Sequence, residues 1–407
     1  MTEIRARALL TRLGVFLDQF TICFDRRAHR TYASRYLQGL LNDSGRKSMQ
    51  PMHGRLSDPG SYQGLQHFIT HSTWDPHRLG GRLRELIPTR AGILAIDDTG
   101  LPKQGTASVG VQRQYCGALG KVANCQVAVS TALVAGPLAG LTSLELYLPE
   151  TWLDDAQRTQ ARIPPTRPFR EKWRIAVAHV RTVLAAGFTV DAVGADAGYG
   201  QIAAFRAALE RLGVAYVVAV PYFVGARLAG TVTRDSLAAI ANSLAPSAWH
   251  RIRWGRGTKG PLAARFAAVR VFLPKSRSER WLLCQASLVE GDRQYYFSNL
   301  PPDTSLKTLV RIARSRWAIE VQYRDLKTEL GLDHFEGRSY PGWNHHAVLA
   351  AMTFTFLQLE RRRRASLPSF PEIRDLMREV MAALLWTARP GWLKLAIGFQ
   401  RNPPLRI

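Results

Sequence analysis

Cysteine is sparse in this chain. Four stand in 407 residues, Cys23, Cys116, Cys125 and Cys284, and no two form a CxxC pair. Such spacing offers neither a disulfide framework nor a zinc signature. Long apolar runs are missing too. The longest, AVLAAMTFTFLQL from Ala347 to Leu359, has 13 residues and carries two Thr and a Gln. It is too short to span a bilayer and reads as a core helix. The opening MTEIRARALLTRLG has no signal-peptide apolar segment, and these absences together give the expectation of a soluble cytoplasmic protein. GTASVG lacks the Lys-Ser/Thr that would complete a phosphate-binding loop, so nothing implies ATP. Negative charge is the scarcest commodity. Against 55 Lys and Arg there are 31 Asp and Glu, a formal net charge of +24 and a pI of about 10.6. That excess goes well beyond what solubility needs. It implies a polyanionic partner, nucleic acid first and a membrane surface second.

A hydrophobic fraction of 46% supplies a real core, and the length suits two to four domains. Residues 1–87 read as helical, with Leu9, Leu13, Phe16 and Phe20 at helical spacing. Between Arg26 and Leu56 seven Lys or Arg face one acid, Asp43. Tyr32 and Tyr36 interleave with Arg26, Arg30 and Arg35, and Arg27 adds to the patch. A solvated basic face usually mixes signs; this one reads as a DNA contact. From 88 to 224, short apolar runs (GILAIDD, CQVAVSTALVA, TSLELYLP) are followed by alternating helices and strands. That order suggests a mixed sheet with helices on both faces. The stretch 225–305 breaks the rhythm and reads as a β-rich insertion. From His250 to Arg280 it holds nine Lys or Arg and one acid, Glu279. Residues 306–360 return to the core fold, and 361–407 form a C-terminal helical segment.

The chemistry is expected at a few carboxylates. Asp97 and Asp98 follow the apolar run GILAI, and Asp196 follows AVGA. Each reads as a strand end in front of a Gly-containing loop, where open α/β folds place ligands. RIARSRWAIEVQYRDLKTELGLD, residues 311–333, reads as one helix. Its Arg316, Glu320 and Lys327 fall at i, i+4 and i+11, within roughly 40° of one another on the helix. An i,i+4 ion pair explains two of them and is worth a few tenths of a kcal/mol. Three carboxylates from three elements in so cationic a chain suggest more. They suit Mg²⁺, which takes oxygen ligands, and two such ions about 4 Å apart can drive phosphodiester cleavage.

The sequence resembles bacterial insertion-sequence DDE transposases, in the branch with a Tyr-Arg-Glu-Lys signature. Arg316, Glu320 and Lys327 match its last three positions and their spacing; the Tyr position is Ala313, with Tyr323 nearby. The resemblance extends to IDDTGLPKQGTASVGVQRQYCGALGKVANCQVAVS, to GADAGYG and to LGLDHFEGRSYPGWNHHAVL. It implies an RNase H-like α/β fold, a mixed sheet flanked by helices with a β-rich insertion and an N-terminal helical DNA-binding domain. It also implies Asp98, Asp196 and Glu320 as catalytic metal ligands, the family's Asp-Thr pattern favouring Asp98 over Asp97. Arg316 and Lys327 would position phosphates, and an aromatic of the insertion, Trp254, would stack a flipped base. The implied cofactor is Mg²⁺, two ions, with Mn²⁺ as a substitute. The implied partner is double-stranded DNA, both element ends and target, bound by a dimer at the bacterial nucleoid. The competing expectations are a DNA-binding protein that has lost catalysis and an RNase H-like nuclease that cuts without joining.

Overall fold

The computed structural model describes residues 3–392 and 394, apart from 137, 258, 259, 275, 277, 290, 292 and 365. Residues 395–407 of the expected C-terminal segment therefore lie outside the described residues. The chain opens with five helices, α1 (Glu3–Asp18), α2 (Arg27–Leu41), α3 (Met49–Gly54), α4 (Tyr62–Thr70) and α5 (Pro76–Glu85). Four strands follow, β1 (Ala91–Pro102), β2 (Gln112–Cys116), β3 (Lys121–Ala135) and β4 (Leu138–Leu146). Next come α6 (Asp155–Ala161), α7 (Lys172–Ala185), β5 (Thr189–Ala195), α8 (Ala197–Gly200), α9 (Ala203–Arg211) and β6 (Tyr216–Val220). The stretch expected to be an insertion holds β7 (Gly225–Leu228), β8 (Asp235–Ser236), α10 (Leu237–Ser243), β9 (His250–Gly257), β10 (Gly260–Phe272), β11 (Glu279–Ala286) and β12 (Gln294–Ser298). The chain closes with α11 (Leu306–Ser315), α12 (Trp317–Thr328), α13 (Tyr340–Arg362) and α14 (Phe370–Ala388).

The sheet is mixed, as the sequence suggests, and RNase H-like in its first half. β3 lies antiparallel to β1 and to β4, while β5 and then β6 run parallel to β1. Right-handed crossovers through helices are the natural link between such parallel neighbours, and α7 and α9 occupy those positions. The insertion strands continue the same sheet, because β12 pairs antiparallel with the free edge of β6 and β11 and β10 follow. Pairing that edge removes an aggregation-prone row of open backbone groups.

Alternation along β1 decides what each face meets. Leu94 and Ile96 pack with α7 residues Ile175, Val180 and Val183. Ile93 packs with Ile312 of α11, and Ala95 with Ile319 and Tyr323 of α12. The N-terminal helices do not stand apart. Phe16, Phe20, Tyr36 and Phe68 share one buried core with Trp343, Phe354 and Phe356 of α13 and with Phe370 of α14. His345 and His346 belong to that seam, as helix packing predicts. His345 bonds the carbonyls of Ile69 and Trp74, and His346 meets the Tyr36 hydroxyl at 2.8 Å.

Two local expectations fail. Asp97 and Asp98 do not end a strand; β1 runs on to Pro102. The register explains why they are nevertheless accessible. β1 pairs with β5 only as far as Ile96↔Ala195, then continues against β3 alone. The expected single helix over 311–333 is also two. Ser315 donates its hydroxyl to the Ile312 carbonyl at 2.7 Å, a local bond that competes with helix continuity, and the break falls at Arg316.

Candidate active site

At the point where β5 falls away from β1, a cleft of 880 Å³ opens. Asp97, Asp98, Asp196, Glu320 and Lys327 line it together, so the acids expected from three separate elements do share one site. Each arrives by a different local device. Asp97 and Asp98, as adjacent residues of a strand, point to opposite faces. Asp196 is the N-cap of α8 and accepts the Tyr199 N–H at 3.1 Å, which is what a carboxylate does at a helix start. Glu320 lies in the first turn of α12.

Arg316, at the helix break, ties two of them together. Its Nη1 meets Asp97 Oδ2 at 2.7 Å and its Nη2 meets Glu320 Oε1 at 2.5 Å. The i,i+4 pair read from the sequence is thus real, but it is half of a three-membered bridge. On the other side Lys172 Nζ donates to Asp98 Oδ2 at 2.7 Å, and the Tyr199 hydroxyl lies 3.5 Å from the same oxygen. Lys327 donates to the Gly100 carbonyl of β1 at 2.8 Å, and burial pulls its ammonium below the usual lysine range. Arg316 and Lys327 are engaged by the protein's own acids and backbone. Tyr323 stands under the site, donating to the Asp97 carbonyl at 2.8 Å and meeting the Ser130 hydroxyl. Ala313, at the signature's Tyr position, is buried in another cluster with Ile93 and Ile312, whereas Tyr323 packs with Ala95 and Ile319.

The electrostatics follow from crowding. Burial pushes the Asp97 carboxyl up to about 7; Arg316 opposes this, while Asp196 and Asp98 add to it. Asp196 is raised as well, by burial first and by Asp98, against the Tyr199 N–H bond. Burial works against the Arg316 charge, yet Asp97 and Glu320 hold its affinity for protons above the ordinary value. Acids that raise one another mark a place where a cation is welcome. The donor set is all carboxylate oxygen and fits a hard divalent ion. It is not a ready-made cage: among the described residues no three Asp, Glu, His or Cys stand close enough to hold a metal. Arg316 instead pairs with Asp97 and Glu320, and Lys172 with Asp98.

The other expected residues fall elsewhere. Arg26 and Arg27 are exposed at the start of α2, and Arg30 is exposed while reaching back to the Phe24 carbonyl. Arg35 is engaged by Asp58 at 2.8 Å and lies 5.2 Å over Tyr32. Trp254 of the insertion lies in a strand. It belongs to β9, at an irregularity where β10 pairs Leu262 with Gly255 and Ala263 with Arg253. Such a bulge re-aims a side chain, here onto Phe266 at 5.8 Å, with the Arg314 guanidinium 4.6 Å over the ring. Three cleft residues escape the sequence reading: Lys172, Tyr199 and Arg324. Lys172 left one trace, a cation in the first turn of a helix, where the macrodipole disfavours it. Trp317, next to Arg316, is 59% exposed.

Residues 19–232, more than half the chain, match the family described as DDE superfamily endonuclease. The chain belongs to that family. Residues 176–356 match the transposase DDE domain. The chain is also similar to the probable transposase for insertion sequence element IS701 of Microchaete diplosiphon, 34% identical over 194 residues. That match covers 46% of this chain and 48% of the relative, about half of each. Both family matches and this partial likeness agree on a DDE enzyme. Family membership implies use of a divalent metal. Among the described residues no helix is long and apolar enough to cross a membrane.

Proposed function

We propose that this protein is the transposase of an insertion sequence. It binds the element's terminal inverted repeats, hydrolyses the phosphodiester at each end, and joins the freed 3′-OH to target DNA. The observation that carries this reading is the cleft that collects Asp98, Asp196 and Glu320 at the open end of β1 and β5, rimmed by Lys172, Arg324 and Lys327. Cleavage and joining are the same in-line attack on a phosphodiester, by water first and by a 3′-OH second, so one site serves both.

Asp98, Asp196 and Glu320 are the residues that would hold Mg²⁺, two ions with Mn²⁺ as a substitute. When bound, the ions supply an activated attacking oxygen and neutralise the leaving one. The protein's own groups prepare this. Arg316 keeps Glu320 turned to the cleft, and Asp97 keeps Arg316 in place. Lys172 pairs with Asp98 and can take a phosphate once another cation occupies that carboxylate. Exposed Arg26, Arg27 and Arg30 carry the duplex outside the cleft. Trp254, re-aimed at the bulge of β9, is assigned to a base of the bound end. Two ends must be held together for joining, which fits a dimer on DNA, and the DNA partner fits a place at the nucleoid.

Glu320→Gln tests the reading. The amide keeps the shape but removes the charge, so cleavage of element-end DNA with Mg²⁺ falls to background, as it does in Asp196→Asn, while gel shifts show end binding intact. Normal cleavage by Glu320→Gln overturns the assignment, since an i,i+4 pair alone is worth too little to abolish activity. A nuclease that only cuts is separated by supplying a pre-cut end with a 3′-OH and assaying strand joining.

A further inference from the structure

One wall of the cleft carries no acid, and its outer side is exposed. Gln114, Tyr115, Gly117 and Ala118 of the β2–β3 hairpin line the cleft mouth. Tyr115 stands directly opposite Val122 in the register, so the two share a face, while Cys116 and Cys125 turn to the other and are buried. On the outer side Tyr115 is 66% exposed, Val122 51% and Leu119, at the turn, 46%. Scattered exposed apolar residues need no explanation; three together on a hairpin tip beside a reactive cleft do. Arg113 is exposed on the Tyr115 face, Lys121, opposite Cys116, is exposed at the tip on the other face, and no Asp or Glu occurs between 99 and 144. An aromatic and apolar tip, flanked by cations and free of acids, is complementary to a DNA strand, whose bases offer π-faces and whose backbone offers phosphates.

We propose that the β2–β3 hairpin is a strand-positioning device. Tyr115, backed by Leu119 and Val122, receives the unpaired base next to the phosphodiester in the acid cleft, and Arg113 and Lys121 hold the flanking phosphates. This rests on the DNA-cleaving reading of the cleft but is read out by binding alone. Tyr115 is a positioning residue: it sets where the strand lies and does no bond chemistry.

The experiment uses full-length protein without divalent metal, so that no cleavage enters. The probes are two short DNA duplexes, one blunt and one with an unpaired 3′ end carrying 2-aminopurine. Wild-type protein quenches the unpaired 2-aminopurine. Tyr115→Ala loses the quench and binds the unpaired end about tenfold more weakly, as removal of one stacking platform implies, with the blunt duplex and the thermal midpoint little changed. Tyr115→Trp restores both. Arg113→Gln with Lys121→Gln flattens the salt slope of binding to both duplexes by about two, one per cation removed. Wild-type quenching and affinity in Tyr115→Ala overturn the proposal, whatever Glu320→Gln does to cleavage. Conversely, normal cleavage by Glu320→Gln together with quenching that depends on Tyr115 sinks the catalytic assignment and leaves the hairpin standing.

Discussion

The two sides of the acid cleft are built from neighbouring residues of one strand and behave differently. On one side Asp97 is 9% exposed and locked to Arg316, and through it to Glu320. On the other, Asp98 has a side chain 27% exposed and is held by a lysine whose side chain is 41% exposed. The covered side has a fixed geometry: a planar guanidinium bonds two carboxylates at once and cannot slide between them. The open side has a mobile one, since an ammonium on a long stem is easily displaced. A strand can therefore carry a rigid positioning acid and an available ligand acid side by side, because successive side chains face opposite ways.

Neutralising each acid in turn separates the two sides most strongly. Asp98→Asn should bring cleavage to background with end binding retained. Asp97→Asn should cost less, about 10²-fold, the usual penalty for a catalytic group shifted by about 1 Å, because it acts through Arg316 and Glu320. Cleavage assays with Mg²⁺ on both variants decide. If the ranks reverse, Asp97 is the ligand and Asp98 the support.

The cations should differ in stability. Removing one partner of a buried pair leaves the other charge uncompensated, at about 3 kcal/mol or more. Asp97 and Glu320 both lose their partner in Arg316→Ala, which should lower denaturant stability most at pH above about 7, where Asp97 is ionised. Lys172→Met should change it by less than about 1 kcal/mol, as exposed pairs do, yet bind Mn²⁺ more tightly, because a competing cation has gone. Equal stability losses would mean that the two sides are alike.

How far this site was legible turns on range. The strands around Asp97, Asp98 and Asp196 declare themselves by short apolar runs, and the helix around Glu320 by its period. What the runs could not reveal is that β1 outlasts β5 by six residues, from Asp97 to Pro102, since strand length depends on which partner ends first. The helix break at Arg316 was hidden because Ser315 and Arg316 are ordinary helix residues; only the tertiary bond to Asp97 gives the break a use. Lys172 was missed for the same reason, as its partner lies 74 positions away. The basic face of α2 was visible as composition, but composition does not say which arginines the protein keeps for itself.

That last point gives a smaller effect, still within the contrast between locked and available charge. Arg26 and Arg27 are exposed, whereas Arg35 is bound to Asp58. Arg26→Gln with Arg27→Gln should flatten the log–log salt dependence of DNA binding by about two, one for each phosphate no longer neutralised. Arg35→Gln should leave the slope nearly unchanged. Binding isotherms across a salt series check both, and an unchanged slope in the double variant moves the duplex away from the start of α2.

The last contrast lies in the pH dependence of stability, and it isolates the covered side alone. Asp97 titrates at about 7 in the folded protein against 3.8 without the fold's influence. The folded state thus holds the proton more tightly, and between these values it binds more protons than the unfolded chain. Stability must then fall as pH rises across that window. The contribution is fully present below about pH 4 and gone above about pH 7. Asp97→Asn cannot titrate, so the difference in unfolding free energy between wild type and variant should slope through that range and flatten on either side. Lys47 offers a control of opposite sign. Burial lowers its ammonium from 10.5 to about 7, so its contribution is present above about 10.5 and fades as pH falls toward 7. The two windows meet near 7 without overlapping. A stability profile of wild type, Asp97→Asn and Lys47→Met therefore assigns each slope to one residue. If Asp97→Asn leaves the acid-side slope untouched, Asp97 is ionised throughout, and Arg316 offsets its burial completely.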